Sequence, residues 1–411
     1  MLRLLLIADD LTGALDSGIK FAEKGLRTLV IPNPSALSAA EIPSETQVLA
    51  VNSDSRKLTP ADAYKCIRSI GSFGLSWGAD ILFKKVDSAL RGNVGSELAA
   101  LVDLKKGESL CFAPAYPAMN RITSGGTHYI NGTPLAQSVF AQDPFNPIST
   151  SFIPDLLSAQ TSLVVHTIPN PSAIDRFSTD ESGCIYLFDA VTDEDLQQIA
   201  SQLHRMDKTS LLAGCAGFAE HIADLLSFRP AAAPVLPTFH QGIVVCGSLN
   251  PITLGQIAYA HQHGAVILHL TAPQRGDPSY WDHPGGQNVI SSIRSLAARA
   301  PVIVDTCGEP SGYPEDRTAI ANSLGTLATR LIEQCPRALF LITGGDTLLG
   351  TVQQIPGATL EPICSVVEGA VLLRMSAPGH HAYIISKSGG FCEEDAISTI
   401  FCRLVVFSPP D

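Results

Sequence analysis

The chain has 411 residues, of which 45% are hydrophobic and 16% charged, and its formal net charge is −12. This length predicts two domains, and the composition is that of a globular protein with enough apolar material for buried sheets. The acidic total, without any basic run, argues against nucleic acid as a partner, and no run of about 20 apolar residues could span a membrane.

The ten cysteines are scattered and include no CxxC pair. Their spacing fits no zinc site, and most lie in apolar segments, which is typical of small buried side chains in a reducing compartment. The first ten residues, MLRLLLIADD, lack the apolar core and the cleavage site of a secretory signal. We therefore expect a soluble, cytoplasmic protein, and the sequence leaves homo-oligomerisation open.

The first half of the chain alternates short apolar strands with helical patterns. The predicted strands are residues 3–8, 27–31, 47–51, 81–85 and 110–113, and the predicted helices include 61–70 and 94–101. This alternation predicts a doubly wound, mainly parallel α/β sheet. Residues 114–150 interrupt it with Pro, Gly, Asn and aromatic residues, and we predict a long functional loop there.

The stretch SFRPAAAPVLPTFHQG, residues 227–242, is typical of a semi-rigid linker. It predicts a first domain at residues 1–228, a linker at 229–241 and a second domain at 242–411. Strands are expected in the second domain at 243–246, 266–270, 302–305, 338–343 and 382–386, with helices from Pro251, over 317–334 and from near Glu393. The second domain is therefore also predicted as doubly wound α/β, with the active site in the cleft between the two domains.

Ligands of open α/β sheets bind beyond the carboxyl ends of the strands. In the first domain these positions are acidic, and two of them also carry an arginine. The residues are Asp9, Asp10 and Asp16 in IADDLTGALD, Arg56 in NSDSR, and Asp87, Arg91 and Asn93 in VDSALRGN. Each acid alone could be a helix N-cap, but caps explain neither the arginines nor two adjacent acids. We interpret IADDLTGALD as an acidic strand end at a binding site rather than as a capped helix start, with Asp9 still able to cap the next helix.

These residue types suit a small, hydroxyl-rich, anionic ligand. Arginine binds carboxylate or phosphate through two parallel hydrogen bonds, while carboxylates accept hydrogen bonds from hydroxyls and one can act as a general base. Arg121 and His128 flank Gly125 and Gly126 in the long loop. They suit a mobile lid over an anion, and a packing role for His128 fits equally well.

In the second domain, three predicted strands lead into small-residue turns. The residues concerned are Ser248 in GSLNPIT, Gly344, Gly345, Asp346 and Thr347 in TGGDT, and Lys387, Gly389 and Gly390 in KSGGF. Bare backbone amides and helix N-termini at such turns can hold phosphates. Any one of them could be an ordinary tight turn, but three in one domain favour nucleotide phosphates. Neither a GxxxxGK[ST] loop nor a GxGxxG fingerprint is present.

Six segments resemble the four-carbon acid sugar kinase family, in the family's order and over nearly the whole chain. They are IADDLTGALDSG, KKVDSALRGNVGSEL, PAYPAMNRITSGGTHYINGTPLAQSVFAQDPFNP, GSLNPIT, TGGDT and KSGGF. The resemblance implies an ATP-dependent kinase for the terminal hydroxyl of D-threonate, D-erythronate or an oxo-tetronate. It further implies that the N-terminal domain binds the acid through Asp10, Arg56, Asp87 and Arg91. The implied ATP contacts in the C-terminal domain are Ser248, Gly344, Gly345, Asp346, Thr347 and Gly390.

We hypothesise that Arg91, alone or with Arg56, binds the substrate carboxylate, and that either Asp10 or Asp87 orients the hydroxyl and accepts its proton. Mg²⁺ would bridge the ATP phosphates, and the sequence assigns no residue as a direct metal ligand. The alternative function is a non-catalytic sugar-acid sensor or effector-like protein, which would need the same acids and arginines but no ATP.

Overall fold

The computed structural model describes residues 2–37, 42–143, 146–169, 182–226, 235–308 and 316–407. The chain divides into two compact units: an N-terminal unit of Met1–Ser35 with Ile42–Ala232, and a C-terminal unit of Ala36–Glu41 with Ala233–Asp411. Residues 229–234 of the predicted linker lie outside the described residues.

The N-terminal unit alternates strands and helices. Its strands are β1 (Leu4–Ala8), β2 (Thr28–Ile31), β3 (Val48–Asn52), β4 (Ile81–Lys85), β5 (Leu110–Ala113), β6 (Arg121–Ser124), β7 (Thr127–Ile130), β8 (Thr133–Pro134), β9 (Val165–Ile168), β10 (Ile185–Phe188) and β11 (Leu211–Gly214). Its helices are α1 (Leu11–Glu23), α2 (Pro60–Ser76), α3 (Val94–Leu104), α4 (Ile153–Ser158), α5 (Asp193–Arg205) and α6 (Ala216–Leu226). The main strands run parallel in the order β2-β3-β1-β4-β11-β5-β10-β9.

Strand β1 lies inside this sheet, and all five of its residues are buried. Its sequence LLLIA is apolar throughout because helices cover both faces of a parallel sheet. Ala8 at its end is level with Asn52 of β3 and with Lys85 of β4. The residues that follow these three strands therefore emerge at one edge. Strands β2 and β3 lie on one side of β1, and β4 lies on the other side. The strand order therefore reverses at β1, which makes this edge of the sheet a topological switch point.

Asp10 is the N-cap of helix α1, and its Oδ1 accepts a hydrogen bond from the Gly13 amide at 2.7 Å. The interpretation of IADDLTGALD as something other than a capped helix start was therefore wrong. The strand end and the capped helix start coincide because Asp10 directly joins the two elements. An aspartate is among the best residues for this position.

Residues 114–150 contain structure where a long loop was predicted. Strands β6, β7 and β8 form a small antiparallel sheet. Gly125 and Gly126 in its first turn have φ of 57° and 70°, and their amides donate to the Asp189 carboxylate at 2.5 and 3.0 Å. The prediction of a loop was wrong because strands of two to four residues are too short to leave a readable hydrophobic period.

The C-terminal unit has a mixed sheet. Its strands are β12 (Gln241–Cys246), β13 (Val266–His269), β14 (Val302–Asp305), β15 (Ala338–Thr343), β16 (Thr359–Val367), β17 (Ala370–Ala377) and β18 (His380–Lys387). Its helices are α7 (Pro251–Gln262), α8 (Ala272–Gly276), α9 (Pro284–Ala297), α10 (Arg317–Gln334), α11 (Gly345–Gln353) and α12 (Ala396–Leu404). The strand order is β13-β14-β12-β15-β18-β17-β16, parallel as far as β18 and antiparallel beyond it.

The predicted α/β class with mainly parallel strands is confirmed. Within the described ranges, no helix is long and apolar enough to cross a membrane. Five of the ten cysteines are buried.

Candidate functional site

Arg56 is the centre of an ion-pair cluster at the switch point of the N-terminal unit. It lies in a single 3-10 turn after β3. Its Nε donates to Asp9 at 2.7 Å, and its Nη2 lies 2.9 Å from Asp10 and 3.4 Å from Asp87. Burial alone would lower the pKa of Arg56, but the three carboxylates hold it well above its usual value. One permanently charged guanidinium therefore joins the ends of β1, β3 and β4.

Asp87 is held by a second arginine. Arg91 Nε and Nη2 donate to the two Asp87 oxygens at 2.8 and 3.0 Å, and Arg91 Nη1 donates to Asp143 at 3.0 Å. Burial would raise the pKa of Asp87, but Arg56 and Arg91 hold it far below its usual range. Asp87 is therefore a carboxylate at every ordinary pH.

The remaining carboxylates of the cluster differ in exposure and charge environment. The side chain of Asp10 is 34% exposed, compared with 3% for Asp9 and 9% for Asp87. Burial raises the pKa of Asp16 on helix α1, against the opposing charge of Lys85. The pKa of Asp9 is lowered because its positively charged neighbours, Arg56 first, outweigh its burial. Among the three carboxylates paired with Arg56, Asp10 is thus the most open to a ligand.

Two of the residues predicted to bind substrate instead make hydrogen bonds to the backbone of neighbouring loops. Asn93 Nδ2 donates to the carbonyls of Ser55 and Leu58, both at 2.9 Å, and so holds the turn that carries Arg56. The fully buried His128 donates from Nε2 to the Ser88 carbonyl at 3.0 Å. Its Nδ1 then accepts from the Thr123 hydroxyl at 3.1 Å. Both residues position the loops of the cluster.

Lys85 belongs to the same cluster and was missed in the sequence. It is buried at the last position of β4, and its Nζ donates to the Val86 carbonyl at 2.7 Å. A Cβ atom added to Gly13 would lie 2.9 Å from Lys85 Nζ and 2.7 Å from Asp10 Oδ1. Lys85 and Asp10 therefore flank the same point of helix α1. The signal was present, since a lysine at the end of a buried apolar strand needs a charged partner.

Arg121 lies at the start of β6, where its guanidinium stacks over the Phe140 ring at 5.6 Å. Arg91 stacks over the same ring at 5.0 Å. Phe140 and Asp143, which holds Arg91, were also missed. No sequence pattern marked them, because each acts on residues distant in the chain.

In the C-terminal unit, the three predicted turns meet at one edge of the sheet. Thr343 of β15 is level with Cys246 of β12 and with Lys387 of β18. A Cβ atom on Gly247 would lie 2.2 Å from Thr347 Oγ1, and one on Gly389 would lie 2.3 Å from Ser248 Oγ. The turns approach so closely that only glycine fits at these crossings.

Gly344 joins β15 to helix α11 with φ of 108°, and its amide donates to the Lys387 carbonyl at 3.1 Å. Gly345 is the first residue of α11, and Asp346 is exposed in its first turn. Lys387 is 1% exposed and its Nζ donates to the Ser388 carbonyl at 3.1 Å. Burial lowers the pKa of Lys387.

The turn after β18 is tied to helix α7. Thr253 Oγ1 donates to the Gly389 carbonyl at 2.6 Å. Gln256 Nε2 donates to the carbonyls of residues 391, 392 and 393 at 2.8–3.0 Å. Gly390 follows Gly389 beside Asn250, whose Nδ2 would lie 3.5 Å from an added Cβ. The residues predicted to bind ATP are therefore neighbours, and together they provide several glycines, one helix N-terminus and one lysine.

Comparison with known proteins agrees with this division. Residues 4–222 match a family model described as a sugar-binding N-terminal domain, and residues 243–397 match one described as a nucleotide-binding C-terminal domain. The fold and the sites thus define a protein class that combines a sugar-binding domain with a nucleotide-binding domain. More narrowly, the chain belongs to the four-carbon acid sugar kinase family, so the resemblance seen in the sequence is confirmed.

Two relatives illustrate the range of the family. The chain is 29% identical to a D-threonate kinase of Salmonella typhimurium, over 84% of each chain. It is 27% identical to a D-erythronate kinase of Heliobacterium modesticaldum, over 97% of this chain and 96% of the relative. A crystal structure from Salmonella typhimurium LT2 shares the fold, with a TM-score of 0.83 and 21% identity over 98% of this chain and 100% of that chain.

Proposed function

We propose that this protein is an ATP-dependent kinase that phosphorylates the terminal hydroxyl of a four-carbon sugar acid. The observation that carries the proposal is the cluster in which Arg56 joins Asp9, Asp10 and Asp87 at a switch point of a sugar-binding fold. Such a cluster offers carboxylate oxygens to several hydroxyls at once. The relatives named D-threonate kinase and D-erythronate kinase support this substrate class.

We assign the proton-accepting role to Asp10. Its side chain is 34% exposed and is the most exposed of the three carboxylates around Arg56. In the proposed step, the substrate oxygen attacks the γ-phosphorus, its proton passes to the Asp10 carboxylate, and ADP leaves with the electrons of the broken P–O bond. Phosphoryl transfer needs mainly positioning and charge neutralisation, which the ion-pair cluster supplies on the acceptor side.

The edge formed by the three turns of the C-terminal unit suits the phosphates of ATP. Its glycines have no side chain and so allow a phosphate to approach the backbone closely, and the N-terminus of α11 carries a partial positive charge that favours anions. Lys387 adds a cation beside them, and the low dielectric around its buried side chain strengthens its attraction for phosphate. We therefore keep Ser248, Gly344–Thr347, Lys387, Gly389 and Gly390 as the proposed ATP contacts.

Mg²⁺ is the expected companion of ATP, and the residues present fit it. It prefers oxygen ligands and usually takes one or two carboxylates in addition to phosphates and water. Asp346 is exposed in the first turn of α11 and has no hydrogen-bond partner within the described ranges. We propose that Asp346 holds the ion, which when bound neutralises charge on the phosphates.

Several features remain predictions. These are the domain limits 1–228 and 242–411 with the linker between them, and a cytoplasmic location. Homo-oligomerisation is supported by a crystal structure from Bordetella bronchiseptica, which is described as a domain-swapped dimer with bound citrate and is 26% identical with a TM-score of 0.50.

ADP release measured against a panel of D-threonate, D-erythronate and 3-oxo-tetronate tests the proposal. We expect ADP with at least one acid, and a phosphate ester at the terminal carbon in the ³¹P NMR spectrum of the product. The matching tetritols and buffer alone are the controls. If the acids bind without ADP formation, the protein is a sensor and the kinase proposal is wrong.

A further inference from the structure

The four cations at the cluster are not equally available to a substrate anion. Arg56 makes contacts with Asp9, Asp10 and Asp87, and Arg91 makes contacts with Asp87 and Asp143. Both guanidinium groups are therefore already neutralised by carboxylates of the protein. Binding a substrate carboxylate on either of them would require that one of these ion pairs be weakened.

Arg121 is different. Its Nε is buried and has no hydrogen-bond partner within the described residues, and its side chain makes no ion pair there. Its guanidinium stacks over the Phe140 ring. A buried N–H group without an acceptor is unfavourable, and this cost is larger for a charged group. A ligand carboxylate would remove it.

Lys85 has unused hydrogen-bonding capacity as well. An ammonium group has three N–H donors, and within the described part of the chain Lys85 uses one, toward the Val86 carbonyl. Lys85 Nζ lies beside Gly13 together with Asp10. Arg121 stacks over the same Phe140 ring as Arg91, which is hydrogen-bonded to Asp87. The two cations therefore both adjoin the ion-pair cluster.

We propose that Arg121, together with Lys85, binds the carboxylate of the sugar acid, and that Arg56 and Arg91 are positioning residues for the carboxylates that face the hydroxyls. This refines the proposed function, on which it rests, and differs from the hypothesis drawn from the sequence, in which Arg91 takes the substrate carboxylate. The guanidinium of Arg121 matches a carboxylate through two parallel hydrogen bonds. The preference for an acid over the matching polyol then originates at Arg121.

The test compares binding of an acid and of its polyol, because a carboxylate contact matters only for the acid. Titration calorimetry would measure D-threonate, D-erythronate, threitol and erythritol with wild type, Arg121→Gln and Arg121→Lys. The matched control is Arg68→Gln, an exposed arginine on α2 of the same unit. Thermal unfolding of each variant verifies that it is folded, and Arg121→Lys keeps the charge if Arg121→Gln does not fold.

We expect Arg121→Gln to weaken acid binding about 10- to 100-fold, the range of a charge-assisted hydrogen bond, and to leave the polyols nearly unchanged. Arg121→Lys should retain part of the preference, and Arg68→Gln all of it. Equal weakening of acid and polyol, an unchanged preference in Arg121→Gln, or no binding of either acid by the wild type would overturn the inference.

These binding measurements need no turnover, so they separate the inference from the proposed function. If the wild type binds acids through Arg121 but releases no ADP with any of them, the kinase proposal fails and the carboxylate assignment stands. If the wild type phosphorylates an acid and Arg121→Gln keeps the acid preference, the assignment alone fails.

Discussion

Among single residues, His128 shows how a side chain predicted as a ligand serves as a buried support. Burial lowers its pKa to about 4, although the hydrogen bond to the Ser88 carbonyl favours the charged form. At neutral pH it is therefore uncharged and holds Ser88, the residue next to Asp87. Thr123 completes its two hydrogen bonds. The substrate site thus depends on His128 through the loop that carries Asp87.

This neutral histidine predicts acid sensitivity. Since its folded pKa of about 4 lies below its ordinary value of 6.5, the unfolded chain binds a proton in this interval and the folded chain does not. The free energy of unfolding should therefore fall as the pH drops from 6.5 to 4, by about 1.4 kcal/mol per pH unit and by about 3 kcal/mol in total. Urea unfolding between pH 4.5 and 7.5, compared with His128→Gln, measures this. Equal pH slopes in the two proteins would contradict it.

Asp10 allows a clean test of the proposed base. Asn is as good an N-cap as Asp, so Asp10→Asn should keep helix α1 and change the melting temperature little. The loss of the carboxylate should lower kcat by about 10²- to 10⁴-fold, with little change in the KM for ATP. Steady-state kinetics with saturating acid measure this effect. A kcat near that of the wild type would remove Asp10 from the proton-accepting role.

At the scale of elements, a buried ion pair couples β4 to helix α3. Lys84 Nζ lies 3.0 Å from Glu97 Oε2, and the two side chains are 0% and 1% exposed. Glu97 also accepts from the Ser55 hydroxyl, next to Arg56. The pair therefore supports the turn that places Arg56 at the cluster.

Breaking this pair on one side should be costly. Lys84→Met leaves the Glu97 charge buried without its partner, and we expect a loss of about 3–5 kcal/mol in the free energy of unfolding. The double variant Lys84→Met with Glu97→Leu should recover most of that loss, because neither charge remains. Denaturant unfolding of the single and double variants checks both values. A double variant no more stable than Lys84→Met would disprove the coupling.

The turn that contains Gly389 lies against the turn that contains Ser248, so we expect nucleotide binding to be sensitive to a side chain added at Gly389. Gly389→Ala places a Cβ atom against Ser248 Oγ and must displace one of the two turns. Misplacement by about 1 Å can lower turnover by about 10²-fold, so we expect a loss of this order together with a higher KM for ATP.

Gly255→Ala on helix α7 is the matched control. An added Cβ meets no atom within 4 Å there. It should raise the free energy of unfolding by up to about 1 kcal/mol and leave the kinetics unchanged. Normal ATP kinetics in Gly389→Ala would mean that this turn does not hold the nucleotide.

Element prediction from sequence succeeded where the apolar run was long and bounded. Ile81–Lys85, Val302–Asp305, Ala338–Thr343 and Arg317–Gln334 have the predicted limits. Strands β9, β10 and β11 of the N-terminal unit and strands β16 and β17 of the C-terminal unit were missed. The first residues of β16 alternate between partly exposed and buried, as is typical of an antiparallel strand with one covered face. Its sequence therefore contains no long apolar run from which a strand could be predicted.

At the scale of the whole molecule, each unit contains one of the two tryptophans. Trp281 of the C-terminal unit is fully buried and donates to the Ser323 hydroxyl at 2.9 Å, and Trp77 of the N-terminal unit is 45% exposed. Trp77→Phe and Trp281→Phe each leave a single reporter. Fluorescence can thus follow the two units separately.

Ligand binding to the folded state stabilises it by about 2.7 kcal/mol at a ligand concentration of 100 times Kd. With Trp77→Phe, ATP should therefore raise the urea midpoint reported by Trp281. With Trp281→Phe, the four-carbon acid should raise the midpoint reported by Trp77. If ATP left the Trp281 midpoint unmoved, the assignment of the nucleotide to the C-terminal unit would be wrong.

The sequence by itself determined the α/β class and located the acidic strand ends and the glycine turns, because these depend on local apolar runs and on the residues directly after them. Only the tertiary structure decided which charges pair. Arg56 and Asp9 are 47 positions apart, and Arg91 and Asp143 are 52 apart, so their contacts depend on strand order and on the β6–β8 sheet. The same packing turned Asn93 and His128 toward the backbone and left Arg121 without an ion-pair partner in the described residues. Local sequence thus places a chemical group at an edge, and the packing of distant segments decides whether that group remains available to a ligand.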